Sequence, residues 1–387
     1  MFNILQLNEI SPIVTKVLGD KYVLSKDVQN PEAIILRSFN MLDYAMPASL
    51  LCIARAGAGT NNIPVDSCAQ KGIVVFNTPG ANANAVKELA VCALLLASRS
   101  IVPAIEWART LKGKGTDVPK LVANGKGEFA GPEIAGKRLG VIGLGAIGAQ
   151  VANTAIELGM TVYGYDPYIS IDGAWNLSNY VIRETDLSRL FGDCDYLSLH
   201  VPYNSATKHI IDGAAIEKMK QNVCIINCSR AELVNNGDLL AAIKSRKVAR
   251  YITDFPSDEL LDTENVVAIP HLGASTPEAE DNCAVMAAKQ TVEFIANGNI
   301  INSVNFPRVT LPRSGKCRVT VIHENVKAML TTLTDTVSAA KINIANMISQ
   351  SQGNYAYTIL DLDDDVSETE LKKLRAHTGV IKVRVIR

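Results

Sequence analysis

The sequence lacks most of the features that mark membrane, secreted and metal-binding proteins. Its longest strongly apolar run, Leu89–Ala97, falls far short of the roughly 20 residues that a bilayer-crossing helix needs. Met1–Pro12 has no basic segment ahead of an apolar stretch and no small-residue cleavage pattern, which argues against a secretory signal. Neither charge sign is in excess: 38 Lys and Arg stand against 39 Asp and Glu, for a formal net charge of −1. A broad surface for nucleic acid or anionic membrane is therefore not implied, and neither is expected as a partner. The eight cysteines (Cys52, Cys68, Cys92, Cys194, Cys224, Cys228, Cys283 and Cys317) include no C-x-x-C pair, so buried, reduced thiols of a cytoplasmic protein are expected. The five histidines (His200, His209, His271, His323 and His377) show no ligand spacing, and no metal is expected.

What is present is a globular composition, 48% apolar and 20% charged, in a 387-residue chain long enough for about two to three domains. Short runs rich in Ile, Val and Leu at Asn3–Leu7, Ala33–Arg37, Leu51–Ala56 and Ile73–Asn77 read as strands separated by helix-length segments. Such alternation predicts parallel βαβ units. Asn84–Ser98 is apolar nearly all round, as a helix buried on several sides is. Lys112–Lys126 reads as a surface excursion. A second alternating series follows, with strands at Arg138–Ile142, Thr161–Tyr165, Tyr196–Leu199, Val223–Asn227, Tyr251–Thr253 and Val266–Ile269, then a long helix at Glu278–Ala296. Asn297–Gly315 reads as a linker. The remainder predicts a small α+β module in the order βαββαβ, with a hairpin at Gly353-Asn354 and a capping box at Ser367-x-x-Glu370.

The strongest local signal is Gly143-Leu-Gly145-Ala146-Ile147-Gly148, because a strand precedes it, a helix-like stretch follows, and the next strand ends in Asp166. In such a loop the first glycine makes the tight turn and the second lets a pyrophosphate approach the backbone. The third lets helix and strand pack closely. Asp166 would accept hydrogen bonds from an adenosine ribose and repel a 2′-phosphate, which favours NAD over NADP. Two further strand ends carry chemistry. Arg230 could grip a carboxylate bidentately, and His271 could move a proton near neutral pH. Between them stand Asp258 and Glu259, either of which could orient and charge-stabilise the imidazole. Each alone also reads blandly: Arg230 as a surface ion pair, His271 as a structural histidine, the acids as solvated loop residues.

Over essentially residues 1–305 the sequence resembles the D-isomer-specific 2-hydroxyacid dehydrogenases. The resemblance rests on Arg55-Ala-Gly-Ala-Gly-Thr60, Asn77-Thr-Pro79, Gly140–Gly148, Tyr165-Asp-Pro167, His200-Val-Pro202, Asn227-Cys-Ser-Arg230 and Pro270-His-Leu-Gly-Ala-Ser-Thr276. The last motif points to the branch that acts on 3-phosphoglycerate and 3-phosphohydroxypyruvate, in the first step of phosphorylated serine biosynthesis. Val321-Ile-His-Glu-Asn325 and Lys341-Ile-Asn-Ile344 resemble an ACT domain, the amino-acid-sensing module that some members carry.

The resemblance implies an α/β fold of two doubly wound parallel-sheet domains with an α+β ACT domain. A flavodoxin-like substrate domain would span 1–98 and 278–305, a Rossmann NAD domain 99–277, and the ACT domain 317–387. It implies Arg230 on the substrate's carboxylate side and His271 as the general acid/base. Aligning the family's Asp-Val-Phe-x-x-Glu on Asp254 gives Glu259 as the catalytic carboxylate, while aligning it on Phe255 gives Asp258. The longer side chain reaches an imidazole more easily, which favours Glu259. The cofactor would be bordered by Gly143, Gly145, Ala146, Ile147, Gly148, Asp166, Val201, Pro202, Cys228, Ser229, Arg230, Asp254, His271, Gly273 and Ala274. Arg37, Arg55, Ala56, Gly57, Ala58 and Gly59 would bind the substrate. A homodimer or homotetramer is implied, with Asn84–Ser98 and Glu278–Ala296 at the subunit contact. In the ACT motif the family has Pro-Gly where this chain has Lys327-Ala328, which leaves a purely assembling module as an alternative to an amino-acid sensor. A glyoxylate or hydroxypyruvate reductase, and a non-catalytic NADH sensor of the same fold, are the rival functions.

Overall fold

The computed structural model describes residues 1–387, with the side chain of Asp172 outside the description. The chain divides into two compact units, Met1–Asn82 with Glu280–Arg387, and Ala83–Ala279.

The first unit holds two sheets. One is parallel: β1 (Phe2–Leu7), β2 (Tyr22–Ser25), β3 (Ala33–Leu36), β4 (Cys52–Arg55) and β5 (Val74–Phe76), ordered β2-β1-β3-β4-β5. This is the flavodoxin-like doubly wound order. All four residues of β3 are buried, as expected of a central strand covered on both faces. Residues 297–315, expected as a linker, are packed against this sheet instead. Asn305 accepts from the Val75 amide at 2.9 Å and donates to the Ile73 carbonyl at 2.9 Å, standing in for a strand partner along β5. Phe306 beside it is fully buried.

The second unit carries β6 (Arg138–Ile142), β7 (Thr161–Tyr165), β8 (Ile182–Arg183), β9 (Tyr196–Leu199), β10 (Val223–Asn227), β11 (Val248–Thr253) and β12 (Val266–Ala268). They form a parallel sheet ordered β12-β11-β10-β9-β6-β7-β8, the Rossmann order with its switch point between β6 and β9. The helix Ala83–Ser98, expected with the first domain, is counted in this unit, because its buried Ala90, Ala93, Leu94 and Ala97 share a core with Val141, Ile226 and Ile252. The excursion at 112–126 is exposed as expected, but much of it is helical, at Val118–Gly125.

The C-terminal module is an antiparallel sheet of β13 (Cys317–Glu324), β14 (Ile344–Gln352), β15 (Tyr355–Leu362) and β16 (Val380–Ile386), ordered β14-β15-β13-β16. The hairpin turns at Gly353-Asn354, with Gly353 at φ +58. The expected capping box is altered: the Ser367 hydroxyl bonds the Glu370 carboxylate and caps no backbone amide. Within its unit the module is tied to the long helix Pro277–Asn297 and the segment after it. Arg384 donates to the carbonyls of Phe294 (3.2 Å) and Ile295 (2.9 Å) and lies 4.9 Å over the Phe294 ring. Arg318 pairs with Asp361 at 2.6 and 2.8 Å, both fully buried, and donates to the Asn297 carbonyl. These cations sit at the helix C-terminus, where carbonyls run short of intrahelical partners and the dipole favours positive charge. Among the described residues, no single helix is long and apolar enough to cross a membrane.

Candidate active site

The second unit gathers its candidate residues at the C-terminal ends of its parallel strands, where doubly wound sheets bind ligands. The glycine loop leaves β6 there. Gly143 has φ +92, and a Cβ on it would lie 2.6 Å from the His200 carbonyl. A Cβ on Gly148 would lie 1.8 Å from the Gly143 carbonyl, so no larger residue fits while loop and helix hold this packing. Gly145 caps the helix Ala146–Glu157 and faces open space. Bare backbone at a helix N-terminus is the arrangement that accepts a pyrophosphate.

Asp166, just past β7, accepts the amides of Leu144 (2.9 Å) and Tyr168 (2.8 Å), one on each carboxylate oxygen. Carboxylate oxygens retain further lone pairs for a ribose. A cavity of about 640 Å³, lined in part by Gly145, Ala146, Gln150, Asp166, Tyr168 and Asn176, lies at this loop. Its position and donor set fit the adenosine half of a dinucleotide.

Val201 and Pro202 follow β9, and Cys228, Ser229 and Arg230 follow β10. The Ser229 hydroxyl donates to the Val201 carbonyl at 2.7 Å and ties the two loops together. Beneath them lies a buried network that sequence reasoning missed. Asn227 donates to the Arg230 carbonyl (2.9 Å) and to the Tyr251 hydroxyl (3.2 Å), and the Thr253 hydroxyl donates to the Asn227 carbonyl (2.9 Å). It fixes the backbone that presents Arg230. The Arg230 side chain is exposed, and its Nη1 donates only to the Ser229 carbonyl, at 2.5 Å. Among the described residues no carboxylate pairs with it.

Asp254 directly follows β11 and is fully buried, with neither carboxylate oxygen hydrogen-bonded. His271 Nδ1 lies 3.5 Å from its Oδ2. Burial pushes the Asp254 carboxyl above the usual carboxylate range, opposed by the attraction of a charged His271. The His271 ring is 60% exposed and rests against Phe255, centroids 4.8 Å apart. Glu259, expected to pair with the imidazole, does not meet it in this structure. Its Oε1 accepts from Asn236 Nδ2 at 2.6 Å, and both Asp258 and Glu259 are exposed. The first residues after β11 point Asp254 at His271, whereas the following turn carries Glu259 toward the helix Asn236–Lys244. Gly273 and Ala274 lie just beyond His271, and a Cβ on Gly273 would touch Asp254 Oδ2 at 3.4 Å. An orphaned buried carboxylate beside this loop is also a ready acceptor for an amide such as a nicotinamide carboxamide. His200 is a different histidine. Burial pushes it down to about 4, and its Nε2 meets the Ser198 hydroxyl at 2.8 Å, so it is neutral at working pH.

The first unit assembles the candidate substrate residues separately. The Ala56 amide donates to Leu36, and the Asn77 side chain holds the Ala58 carbonyl at 2.7 Å. Gly57, at φ +157, has no room for a Cβ beside the Arg55 guanidinium, which would stand 2.5 Å away. Arg55 Nε donates to the Arg37 carbonyl at 3.0 Å, and burial and the like charge of Arg37 lower its pKa. Among the described residues no His, Cys, Asp and Glu group suits a metal ion.

A Rossmann sheet with a glycine cradle, an aspartate just past its second strand and a histidine–carboxylate pair at a neighbouring strand end defines a dinucleotide-dependent dehydrogenase. Comparisons with known proteins give its family. The NAD-binding domain of D-isomer-specific 2-hydroxyacid dehydrogenases matches residues 91–273. D-3-phosphoglycerate dehydrogenase of Escherichia coli (strain K12) is 36% identical, over 95% of this chain and 90% of its own. The Haemophilus influenzae protein of that name is 32% identical over 95% and 89%. The NAD+-bound structure of 3-phosphoglycerate dehydrogenase from Entamoeba histolytica aligns with TM-score 0.59 and 26% identity, over 79% of this chain and 98% of its own. The chain belongs to the D-isomer-specific 2-hydroxyacid dehydrogenases, and its cofactor is NAD.

Proposed function

We propose that this enzyme oxidises D-3-phosphoglycerate to 3-phosphohydroxypyruvate with NAD, the reaction named by its curated relatives. When bound, NAD supplies the hydride acceptor at C2. The chain's own residues do the rest. His271 Nδ1 faces Asp254, which leaves Nε2 to take the C2 hydroxyl proton. Asp254 stabilises the imidazolium, the role expected of Glu259. Arg230, with no carboxylate partner of its own, grips the substrate carboxylate. Ala58 and Gly59 offer backbone amides, those of Ala56 and Gly57 being held by the Leu36 and Arg55 carbonyls, and Arg37 and Arg55 take the phosphate. In the reverse direction the charged His271 returns the proton.

The single observation that carries this reading is the His271–Asp254 pair standing one strand end from Arg230 beside a glycine cradle. NADH oxidation with 3-phosphohydroxypyruvate, glyoxylate and hydroxypyruvate, with Arg230→Ala as control, tests it. Preference for the phosphorylated acid, lost in the variant, supports the reading; equal or better turnover of the unphosphorylated acids contradicts it.

The organisation follows the same reading: a substrate domain built on the first parallel sheet, an NAD domain on the second, and an ACT module at 317–387. The exposed Leu95, Ile101 and Ile105 support a homodimer or homotetramer. Asn325 and Asn343, at the positions that the resemblance to an ACT domain gives to effector contacts, are engaged by their own chain, with Gly353 and Asp363, which favours an assembling module over an amino-acid sensor. Eight free cysteines, seven of them buried, support a cytoplasmic setting.

A further inference from the structure

Arg37 is pinned by its main chain. Its amide donates to Asn8 Oδ1 at 3.2 Å, and its carbonyl accepts from Arg55 Nε at 3.0 Å and Asn62 Nδ2 at 3.3 Å. Its side chain is held by Glu280, whose Oε1 lies 2.5 Å from Nη1. Glu280 sits in the first turn of the helix Pro277–Asn297. The pair is open to solvent, with side-chain exposures of 38% and 43%. Arg55 lies next to it, and among the described residues no carboxylate pairs with Arg55. The cluster thus holds two guanidiniums and one carboxylate.

We propose that Glu280 is a displaceable counter-ion that occupies Arg37 until the substrate's phosphate takes its place. The inference rests on the reading of Arg37 and Arg55 as the phosphate site. Charge balance carries it. A phosphate near its full ionisation has a charge close to −2, which two guanidiniums neutralise without Glu280. Once the phosphate is bound, Glu280 is a surplus negative charge beside a dianion and must swing away. Before binding, it holds the Arg37 fork in a fixed place and lessens the repulsion between the two arginines. Glu280 is therefore a positioning and selectivity residue that raises KM for phosphorylated substrates and does not touch the reacting carbon. An ordinary surface ion pair would instead leave KM unmoved.

The test is steady-state kinetics of the full chain with NADH, comparing wild type, Glu280→Gln and Glu280→Asp on 3-phosphohydroxypyruvate and hydroxypyruvate. Inorganic phosphate serves as a competing probe. Glu280→Gln is expected to lower KM for the phosphorylated acid about fivefold, with kcat within about twofold and KM for hydroxypyruvate unchanged. Inorganic phosphate is expected to inhibit it at correspondingly lower concentration. Glu280→Asp, which keeps the charge, is expected to stay near wild type. Unchanged NADH binding by fluorescence shows that the variants are folded. An equal KM change for both substrates, no change, or a rise for the phosphorylated acid overturns the role of Glu280 and leaves the substrate assignment standing. A wild type that prefers hydroxypyruvate overturns the assignment itself, and the inference with it.

Discussion

His271 turns Nδ1 toward the buried Asp254 carboxylate at 3.5 Å, while Glu259 is taken by Asn236 at 2.6 Å. Two acids separated by a single turn of chain thus have different partners, and only one is in place to stabilise a protonated imidazole. Asp254→Asn is expected to lower kcat by about a hundredfold, and Glu259→Gln by less than about threefold. The comparison needs only kcat for each variant, with NADH binding as a check on folding. The opposite ranking would return the role to Glu259.

Asp254 also carries a cost. Its carboxyl is raised by burial, so the native state holds this proton more tightly than the unfolded chain. Its contribution to stability therefore falls as pH rises from the unfolded carboxylate range through the raised native value. Asp254→Asn removes that loss, and its melting temperature at neutral pH is expected to exceed that of wild type even as activity falls. Thermal melts of both proteins at pH 4 and pH 7 read the sign, and a variant less stable at pH 7 would contradict it.

His200 has the opposite linkage. Burial pushes it down to about 4 from an ordinary 6.5, so the unfolded chain binds its proton first. Its contribution is full above about 6.5 and is lost as pH falls toward 4. His200→Asn is expected to flatten the acid side of the stability curve over that window, measured by urea denaturation at stepped pH.

The glycine loop separates packing from binding. Gly148→Ala puts a Cβ 1.8 Å from the Gly143 carbonyl and is expected to cost about 3 kcal/mol of stability along with NADH affinity. Gly145→Ala meets no protein atom, so it is expected to fold like wild type and lose NADH affinity alone. Denaturation and NADH titration of the two variants check the contrast.

Ala328 sits at φ +62 just before the helix Met329–Ala339. A Cβ in the left-handed region is strained, and Ala328→Gly is expected to stabilise the chain by about 0.5–1 kcal/mol. A calorimetric melt checks it.

Both parallel sheets were legible from short apolar runs bounded by turn residues, because central strands buried on both faces are apolar throughout. The edge strands β2 and β8 were not, since each has a face open to solvent and the second is only Ile182–Arg183. The glycine cradle could be read in advance because its spacing is enforced by backbone contacts that no other residue tolerates. The carboxylate partner of His271 could not, because adjacent acids differ only in where one turn directs them. The pairing of Arg37 with Glu280 joins residues far apart in the chain, and no local pattern announces it.

The ratio of kcat/KM for 3-phosphohydroxypyruvate to that for hydroxypyruvate, measured by NADH oxidation in wild type, decides whether the site is built for a phosphorylated acid. A site with two arginines committed to phosphate predicts a ratio of at least about a hundred, because an analogue lacking that group leaves them unpaired. A ratio near one would contradict it and make the enzyme a general 2-keto-acid reductase.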